Sequence, residues 1–544
     1  MIIPMKHLDL LCVSADRDRT LEKLCALGAV HLDLAAAQGA AVTAAKGAAA
    51  DAEQAVRVIL KARGKAEVAG LSPMSVADVL SRQDELDGVK GAIESVEREI
   101  ARYAPYGDFD PALAQKLIDL GIDVRSVADL PEKLPAKRLS AMQAELAERM
   151  TALARITDEL AHADEQAILK AFPELGDRVA FAAAQELMSE QGAVSVVSGW
   201  VPGPKVEALR AEVAKNGWGV LVRDPVAGEV PPTLIEPPKM FRPMKALFDG
   251  LGIAPAYTEA DVSVPFMCYF SLFFAMLVGD GAYGAIFLAG TLAMRKKLPR
   301  SWFVLLTVFS AATVLWGLLS NTWFGAGIPA CANWPTVKWL ADPSYHNMML
   351  LCFTIGVSHL MLARIWNGIC RLPDSTAVAE FGWSGILLFM YLVTNSIIGI
   401  FSGIPTWAFV VFGLSVVAVF GFSVKPSELK TRGAELGMLP LNIMSALGDI
   451  ISYVRLFAVG LASVKVAENF NSMATGLVSS ENALWVNVLM SIAMVAILVV
   501  GHGLNLAMAG LSVLVHAVRL NTLEFSNHKG VSWAGYAFKA FKKN

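Results

Sequence analysis

The sequence predicts a multidomain chain in which cytoplasmic α/β lobes, joined by an α-helical coiled-coil arm, are followed by an all-α polytopic membrane domain of about eight helices. Three observations carry this. The 544 residues exceed one ordinary domain, and a mean hydropathy of +0.50 with 17% charged residues lies outside the soluble range. About two thirds of the Asp, Glu, Lys and Arg residues fall in the first 250 positions. Beyond them, apolar runs long enough to cross a bilayer follow one another nearly to the end.

The composition also excludes classes. A net charge of -3 and the absence of any basic or aromatic-basic stripe exclude a nucleic-acid partner. Six cysteines without a CxxC pair read as reduced thiols, with no disulfide or zinc framework. The first residues lack the charged head, apolar stretch and cleavage site of a signal peptide, so the N-terminal half is expected in the cytoplasm. No GxxxxGK[ST] loop occurs, so the chain is expected to be non-catalytic, with no cofactor and no metal of its own.

The cytoplasmic domain is placed at 1–235. Residues 5–14 read as a strand, 17–27 as a helix and 29–34 as a second strand, a βαβ unit. The same grammar returns at 193–223, which gives two lobes, near 1–35 and 190–225. Between them, 36–175 is rich in Ala, Glu, Lys, Arg, Gln and Leu. Its apolar residues recur three to four apart, as in Ile93, Val96, Ile100 and Met142, Leu146, Met150, Leu153, Ile156, Leu160. Narrow stripes with charged outer faces favour a coiled-coil arm; the alternative is an ordinary helical bundle.

Seven prolines between Pro225 and Pro255 forbid regular structure through most of that stretch, and 236–262 is read as the linker into the membrane. The membrane domain is placed at 263–527, with helices near 302–320, 347–370, 382–403, 406–424, 437–466 and 484–525 and a cytoplasmic tail at 528–544. If crossings alternate, Arg295, Lys296, Lys297 and Arg300, then Arg371, then Lys425, Lys430 and Arg432, then the tail lysines all lie on one side. That side is expected to be cytoplasmic, together with both termini. The run 263–294 must then enter and return, turning at the helix breaker Gly279, Asp280 and Gly284. The same segment matches GxGxxG formally. It lacks the flanking strand and sits among apolar residues, so it does not read as a dinucleotide site.

Charges inside the membrane runs are the functional signal. Arg455, placed mid-helix, costs about 2.5 to 3.5 kcal/mol to insert and stays charged. Gly448, Ser452, Val459 and Ala462 lie along its face, small enough for a second helix to come close. Its alternatives are snorkelling to the headgroups or pairing inside the bundle. In the last run Asn505, Ser512 and Arg519 recur every seven residues, flanked by His502 and His516, a polar stripe that should face protein or water. Arg519 lies near the cytoplasmic end, where it can pair with Glu524.

The motif Gly448-Asp449-x-x-Ser452-Tyr453-x-Arg455-Leu456-x-Ala458-x-x-Leu461-Ala462 resembles the penultimate-helix signature of the vacuolar-type ATPase a subunit family, which includes subunit I of V/A-type ATP synthases. His516-x-x-Arg519-Leu520-x-x-x-Glu524 resembles its last-helix signature. Pro265, the Gly279–Gly284 turn and Ser198-Gly199-Trp200-Val201-Pro202 are also similar to that family, so the resemblance spans nearly the whole chain. It implies a membrane stator whose arginine, at Arg455, favours the ionised carboxylate of a rotor ring while two offset half-channels admit and release protons or sodium ions. It assigns Arg519, His516, Glu468 and Asp449 to ion translocation and leaves ATP and Mg to partner subunits. The implied partners are the proteolipid ring, peripheral-stalk heterodimers, a central-stalk connector and the lipid of a prokaryotic plasma membrane. The chain departs from eukaryotic relatives at Ser463 and Ala509, where those carry histidine and glutamate. The rival readings are a secondary transporter with a regulatory domain, which would show internal repeats, and a membrane-anchored scaffold, which would leave Arg455 unexplained.

Overall fold

The computed structural model describes residues 1–64, 70–121, 131, 133–425, 429–477 and 484–543. Part of the expected arm, at 65–69, 122–130 and 132, and the side chains of Lys430 and Arg432 lie outside the described residues. The chain divides into two compact units, Met5–Glu229 with Lys539–Asn544, and Met1–Pro4 with Val230–Phe538.

In the first unit, β1 (Met5–Val13) alternates buried Leu8, Leu10 and Cys12 with outward residues, the period-two pattern of a half-buried strand. It pairs antiparallel with β3 (Val194–Pro202) on one side and β4 (Gly219–Arg223) on the other, and β2 (Ser189–Gln191) extends β3, giving the order β2-β3-β1-β4. The two lobes expected near 1–35 and 190–225 are therefore one sheet. Both βαβ readings identify real crossovers, but the units interleave: β1 lies between β3 and β4, while the expected strand 29–34 reduces to a bridge from His31 to Trp200 on the far edge of β3. Local periodicity specifies a strand and its crossover helix; it does not say which distant strand slips between them.

Helices α1 (Arg17–Leu27) and α6 (Val206–Asn216) end at Gly28 and Gly217, each in the left-handed conformation that lets a glycine cap the last turn. Leu21, Leu24, Leu209 and Val213 join the strand residues in the core. Phe541 closes it, with its N–H donating to the carbonyl of Val30 at 2.8 Å.

Four longer helices follow α1: α2 (Ala40–Arg63), α3 (Val76–Tyr103), α4 (Leu139–Ala161) and α5 (Glu165–Leu187). α3 packs against α4, and α2 against α5. Ile93, Val96, Met142, Ile156 and Leu160 are buried as their spacing predicts, whereas Met150 is exposed.

The second unit is helical. Its elements are α7 (Ser263–Val278), α8 (Gly281–Ala293), α9 (Arg300–Ser320), α10 (His346–Arg371), α11 (Thr376–Ile397), α12 (Thr406–Phe422), α13 (Leu429–Ile451), α14 (Val454–Thr475) and α15 (Leu484–Ser512), which continues in wider turns towards Lys529. Among the described residues five helices are long and apolar enough to cross a membrane: α9, α10, α11, the run Leu436–Thr475 and the run Val488–Lys529. The pair α7 and α8 bends by 119° at its break, and α12 is shorter, at 17 residues.

Candidate functional site

Three neighbourhoods of the helical unit hold all of the sequence-predicted site residues but Glu468. The first is the hairpin turn. Gly279 caps α7 at φ +71, a conformation other residues rarely adopt. Asp280 is fully buried and caps α8, its Oδ1 accepting from the N–H of Ala282 at 2.8 Å and its Oδ2 from the N–H of Gly325 at 2.8 Å. One carboxylate thus satisfies two backbone donors that would otherwise be stranded in an apolar interior. Gly284 faces α9 so closely that a Cβ there would lie 2.8 Å from the nitrogen of Val314. The breaker read in the sequence is therefore a turn tied to the segment after α9.

The second neighbourhood holds the arginines. α13 and α14 are separated at Ser452 and Tyr453, where the Ser452 hydroxyl donates to the carbonyl of Asp449 at 2.6 Å. The Tyr453 ring is fully buried, with its hydroxyl 2.9 Å from Nδ1 of His359. Arg455 follows this break directly. Its Nη2 lies 3.4 Å from Oε1 of Glu524, and Nε of Arg519 lies 3.5 Å from the same oxygen. The Glu524 side chain is 7% exposed and that of Arg455 22%, so water screens the pair weakly. Arg519, at 56%, reaches towards the surface. Nη1 of Arg455 and Oε2 of Glu524 are buried with no hydrogen-bond partner among the described residues. Two guanidiniums facing one carboxylate leave an excess positive charge there.

Arg519 and Glu524 are five residues apart, a spacing that in a regular α-helix points side chains in different directions. The last helix widens into π-helical turns over Val513–Ala517 and Leu520–Phe525, and such turns bring residues five apart onto one face. His516 sits on the first wide turn, half-buried, and no hydrogen bond joins it to the arginines among the described residues.

The third neighbourhood takes in Asp449, one turn before the break. Its Oδ2 lies 3.0 Å from Nε2 of His528, and Nδ1 of His528 accepts from Nε of Arg364 at 3.1 Å. Arg364 and Arg371 then hold the two oxygens of Glu380 at 3.1 and 2.9 Å. Arg364 is thus held in an ion pair, with its guanidinium 5.0 Å from the ring centre of Trp383. His528 and Glu380 carry no signal in the linear sequence, since neither lies at helical spacing from its partner.

Glu468 is apart from all of these. It pairs with Lys465 one turn away at 2.7 Å, partly exposed, and lines a cavity of about 200 Å³ with Gly279, Gly460 and Tyr345. Of the small residues on the Arg455 face, Gly448 and Ala462 are exposed and Ser452 and Val459 half-buried. The structure thus joins Arg455 and Arg519, keeps His516 within electrostatic reach of both, and places Asp449 and Glu468 in two other surroundings.

Comparison with known proteins points one way. The chain is 33% identical over 371 residues to the V-type ATP synthase subunit I of Borreliella burgdorferi, an alignment covering 64% of this chain and 60% of that one. It is 27% identical to the V-type ATP synthase subunit I 1 of Treponema pallidum, over the whole of both chains, and 24% identical to the A-type ATP synthase subunit I of Methanocaldococcus jannaschii, covering 78% of this chain and 65% of that one. The chain thus spans less than two thirds of the Borreliella and Methanocaldococcus proteins and the full length of the Treponema one. No protein-family model matches it. With its five membrane-length helices it is a multi-pass membrane protein, and the relatives it resembles are named V-type or A-type ATP synthase subunit I, one of them similar over the whole of both chains.

Proposed function

We propose that the chain is the membrane stator subunit of a rotary V/A-type ATPase, with Arg455 as the fixed cation past which a rotor ring of carboxylate-bearing subunits turns. The observation that carries this reading is the shared oxygen of Glu524. A single carboxylate orients Arg455 and Arg519 and neutralises only one of them, so Nη1 of Arg455 is left for an anion from outside the chain. A ring carboxylate passing this point is held ionised by the guanidinium and regains its proton or sodium ion only after moving away. Each charge crossing about 100 mV supplies about 2.3 kcal/mol, which a rotor accumulates over several steps per ATP.

The surface around Arg455 supports a helical partner. The last helix is the least buried of the five long ones, with 17% of its most apolar window inside the protein, and Leu504, Met508, Leu511 and Val515 are exposed along it. In this reading the hairpin α7–α8, the five long helices and α12 make eight membrane segments, with loop lysines and arginines on the cytoplasmic side and both termini there. The paired helices α2–α5 form the coiled-coil arm that docks peripheral stalks, and a central-stalk subunit meets the ring beneath. ATP and Mg act on other subunits. Paired cysteines test the contact: with Ala458→Cys beside Arg455 and a cysteine next to the ring carboxylate, oxidation should link the two subunits. Absence of that link in an assembled complex would contradict the reading.

A further inference from the structure

Helix α10 carries a fully buried histidine, His359, in a box of aromatic rings. Its ring stacks on Tyr269 and on Phe525, with centres 4.0 and 4.4 Å apart, and Phe273 and Tyr453 meet it edge-on at 5.5 and 6.2 Å. Nδ1 lies 2.9 Å from the Tyr453 hydroxyl, while Nε2 is buried with no hydrogen-bond partner among the described residues. For packing alone a histidine is the costlier choice here, because phenylalanine or leucine fills such a box without stranding a polar atom. What the histidine adds is the bond to Tyr453.

Two distant segments meet on this one ring. Tyr453 stands in the break between α13 and α14, two residues before Arg455. At the break the N–H of Arg455 donates to the carbonyl of Ser452 at 3.2 Å, three residues back, so the regular four-residue ladder does not aim its side chain. The Tyr453 ring anchors the break instead. It lies over Gly356, one turn before His359, where a Cβ would come within 2.5 Å of its Cγ, and its hydroxyl ends on His359. Phe525 stands on the widened turn, directly after Glu524. Helix α10 grips that second segment again further on, where Nδ2 of Asn367 donates to the carbonyl of His528 at 3.0 Å and Nζ of Lys529 to Oδ1 of Asn367 at 2.6 Å. The break that carries Arg455 and the turn that carries Glu524 are thus both docked on α10, and the His359 ring contacts both.

We infer that His359 is the positioning residue of the Arg455–Glu524 pair, setting through Tyr453 and Phe525 the separation at which Glu524 orients one guanidinium nitrogen of Arg455 and leaves Nη1 open. The inference rests on the stator reading of Arg455 and goes beyond it by naming a residue on a third helix that aims the guanidinium. His359 touches no ion and needs no change of charge, since a neutral imidazole makes both contacts. An arginine displaced by about an ångström meets the ring carboxylate in the wrong place, and ATP is then hydrolysed with little ion movement.

The alternative is that His359 only fills the space between helices. Two substitutions separate the roles. His359→Phe keeps the stack and loses the bond; His359→Asn loses the ring and keeps a polar atom near the place of Nδ1. Space filling ranks phenylalanine above asparagine, whereas positioning ranks asparagine above phenylalanine. The experiment uses the assembled complex in inverted vesicles, with ATP hydrolysis and ATP-driven ion uptake measured together. Uptake is read both as acidification and as entry of radioactive sodium, and assembly is checked by pull-down. Ions moved per ATP hydrolysed should fall about 10-fold in His359→Phe and less in His359→Asn. Tyr453→Phe, which removes one oxygen, should fall as far as His359→Phe, and the double variant no further than either, because each removes the same bond. Coupling within about two-fold of the parent in His359→Phe or Tyr453→Phe, coupling in His359→Asn no better than in His359→Phe, or losses that multiply in the double variant would each overturn the inference. If His359→Phe does not assemble, Tyr453→Phe decides alone. Arg455→Ala is run beside them: normal uptake there fells the stator reading itself, whereas a silent Arg455→Ala with normal coupling in Tyr453→Phe fells only the role of His359.

Discussion

Arg455 and Glu524 stand 69 residues apart in the chain and 3.4 Å apart in space, at a break between α13 and α14 on one side and a widened turn on the other. Both irregularities serve the contact. The break sets Arg455 beside the buried Tyr453, and the widened turn swings Glu524 under Arg519. Removing one partner of a buried ion pair costs about 3 to 5 kcal/mol, because the other charge is left without compensation. Glu524→Gln should therefore lower the midpoint of thermal unfolding in detergent and reduce ion transport, whereas Arg519→Gln, at an exposed position, should shift the midpoint far less. Equal midpoints for Glu524→Gln and the parent would contradict this assignment.

The hairpin offers an independent prediction about packing. A Cβ on Gly284 would press on the backbone of Val314, which cannot move away as a flexible side chain could. Gly284→Ala should destabilise the helical unit by about 1 to 3 kcal/mol. Asp280→Asn replaces an acceptor pair with one acceptor and one donor and should lose one of the two backbone bonds, about 1 to 3 kcal/mol. Thermal unfolding followed by intrinsic fluorescence reads both changes.

How much of this was legible in the sequence differs by element. Arg455 was visible because a charge in a long apolar run is costly, and the hairpin because Gly279, Asp280 and Gly284 interrupt such a run. The Arg519–Glu524 pair was nameable, although a regular helix would not have formed it. The single sheet was not legible, since β1 and β3 pair across nearly two hundred residues and alternation in a strand carries no address for its partner. Asp449 was assigned to an ion path only through the family resemblance, as a member of the signature that holds Arg455; its partner His528 is 79 residues away and no periodicity connects them. His502 read only as a flank of the Asn505 stripe, because its hydrogen-bond partners Asn471 and Tyr283 come from other elements.

Acid should weaken the first unit through His31. Burial holds its imidazole below the usual histidine pKa, with bonds to the Lys539 backbone opposing that effect. The unfolded chain therefore binds more protons than the folded one as pH falls past about 6.5, so the stabilisation present above that pH is lost below it. Proteolysis of the intact protein at pH 7.5 and at pH 5.5 should show faster release of the C-terminal residues at the lower pH, and His31→Gln should flatten the difference.

Thiol chemistry tests the topology. Cys268 and Cys370 are exposed, whereas Cys12 and Cys25 are buried and burial raises their thiol pKa values. Only thiolates react readily with maleimides, so Cys12 and Cys25 should stay unlabelled in the folded protein. Cys370, beside Arg371, should react with a membrane-impermeant maleimide in inverted vesicles and not in right-side-out ones. The opposite pattern would reverse the assignment of sides.

The central claim is that Arg455 couples ion movement to rotation. It is tested most directly by ATP-driven ion uptake in inverted vesicles carrying Arg455→Ala or Arg455→Lys, with assembly confirmed by pull-down of the ring and the catalytic head. The account predicts an assembled complex that moves no ions with alanine and severely fewer with lysine, a point charge without the planar fork. Uptake at the parental rate in an assembled Arg455→Ala complex would contradict it.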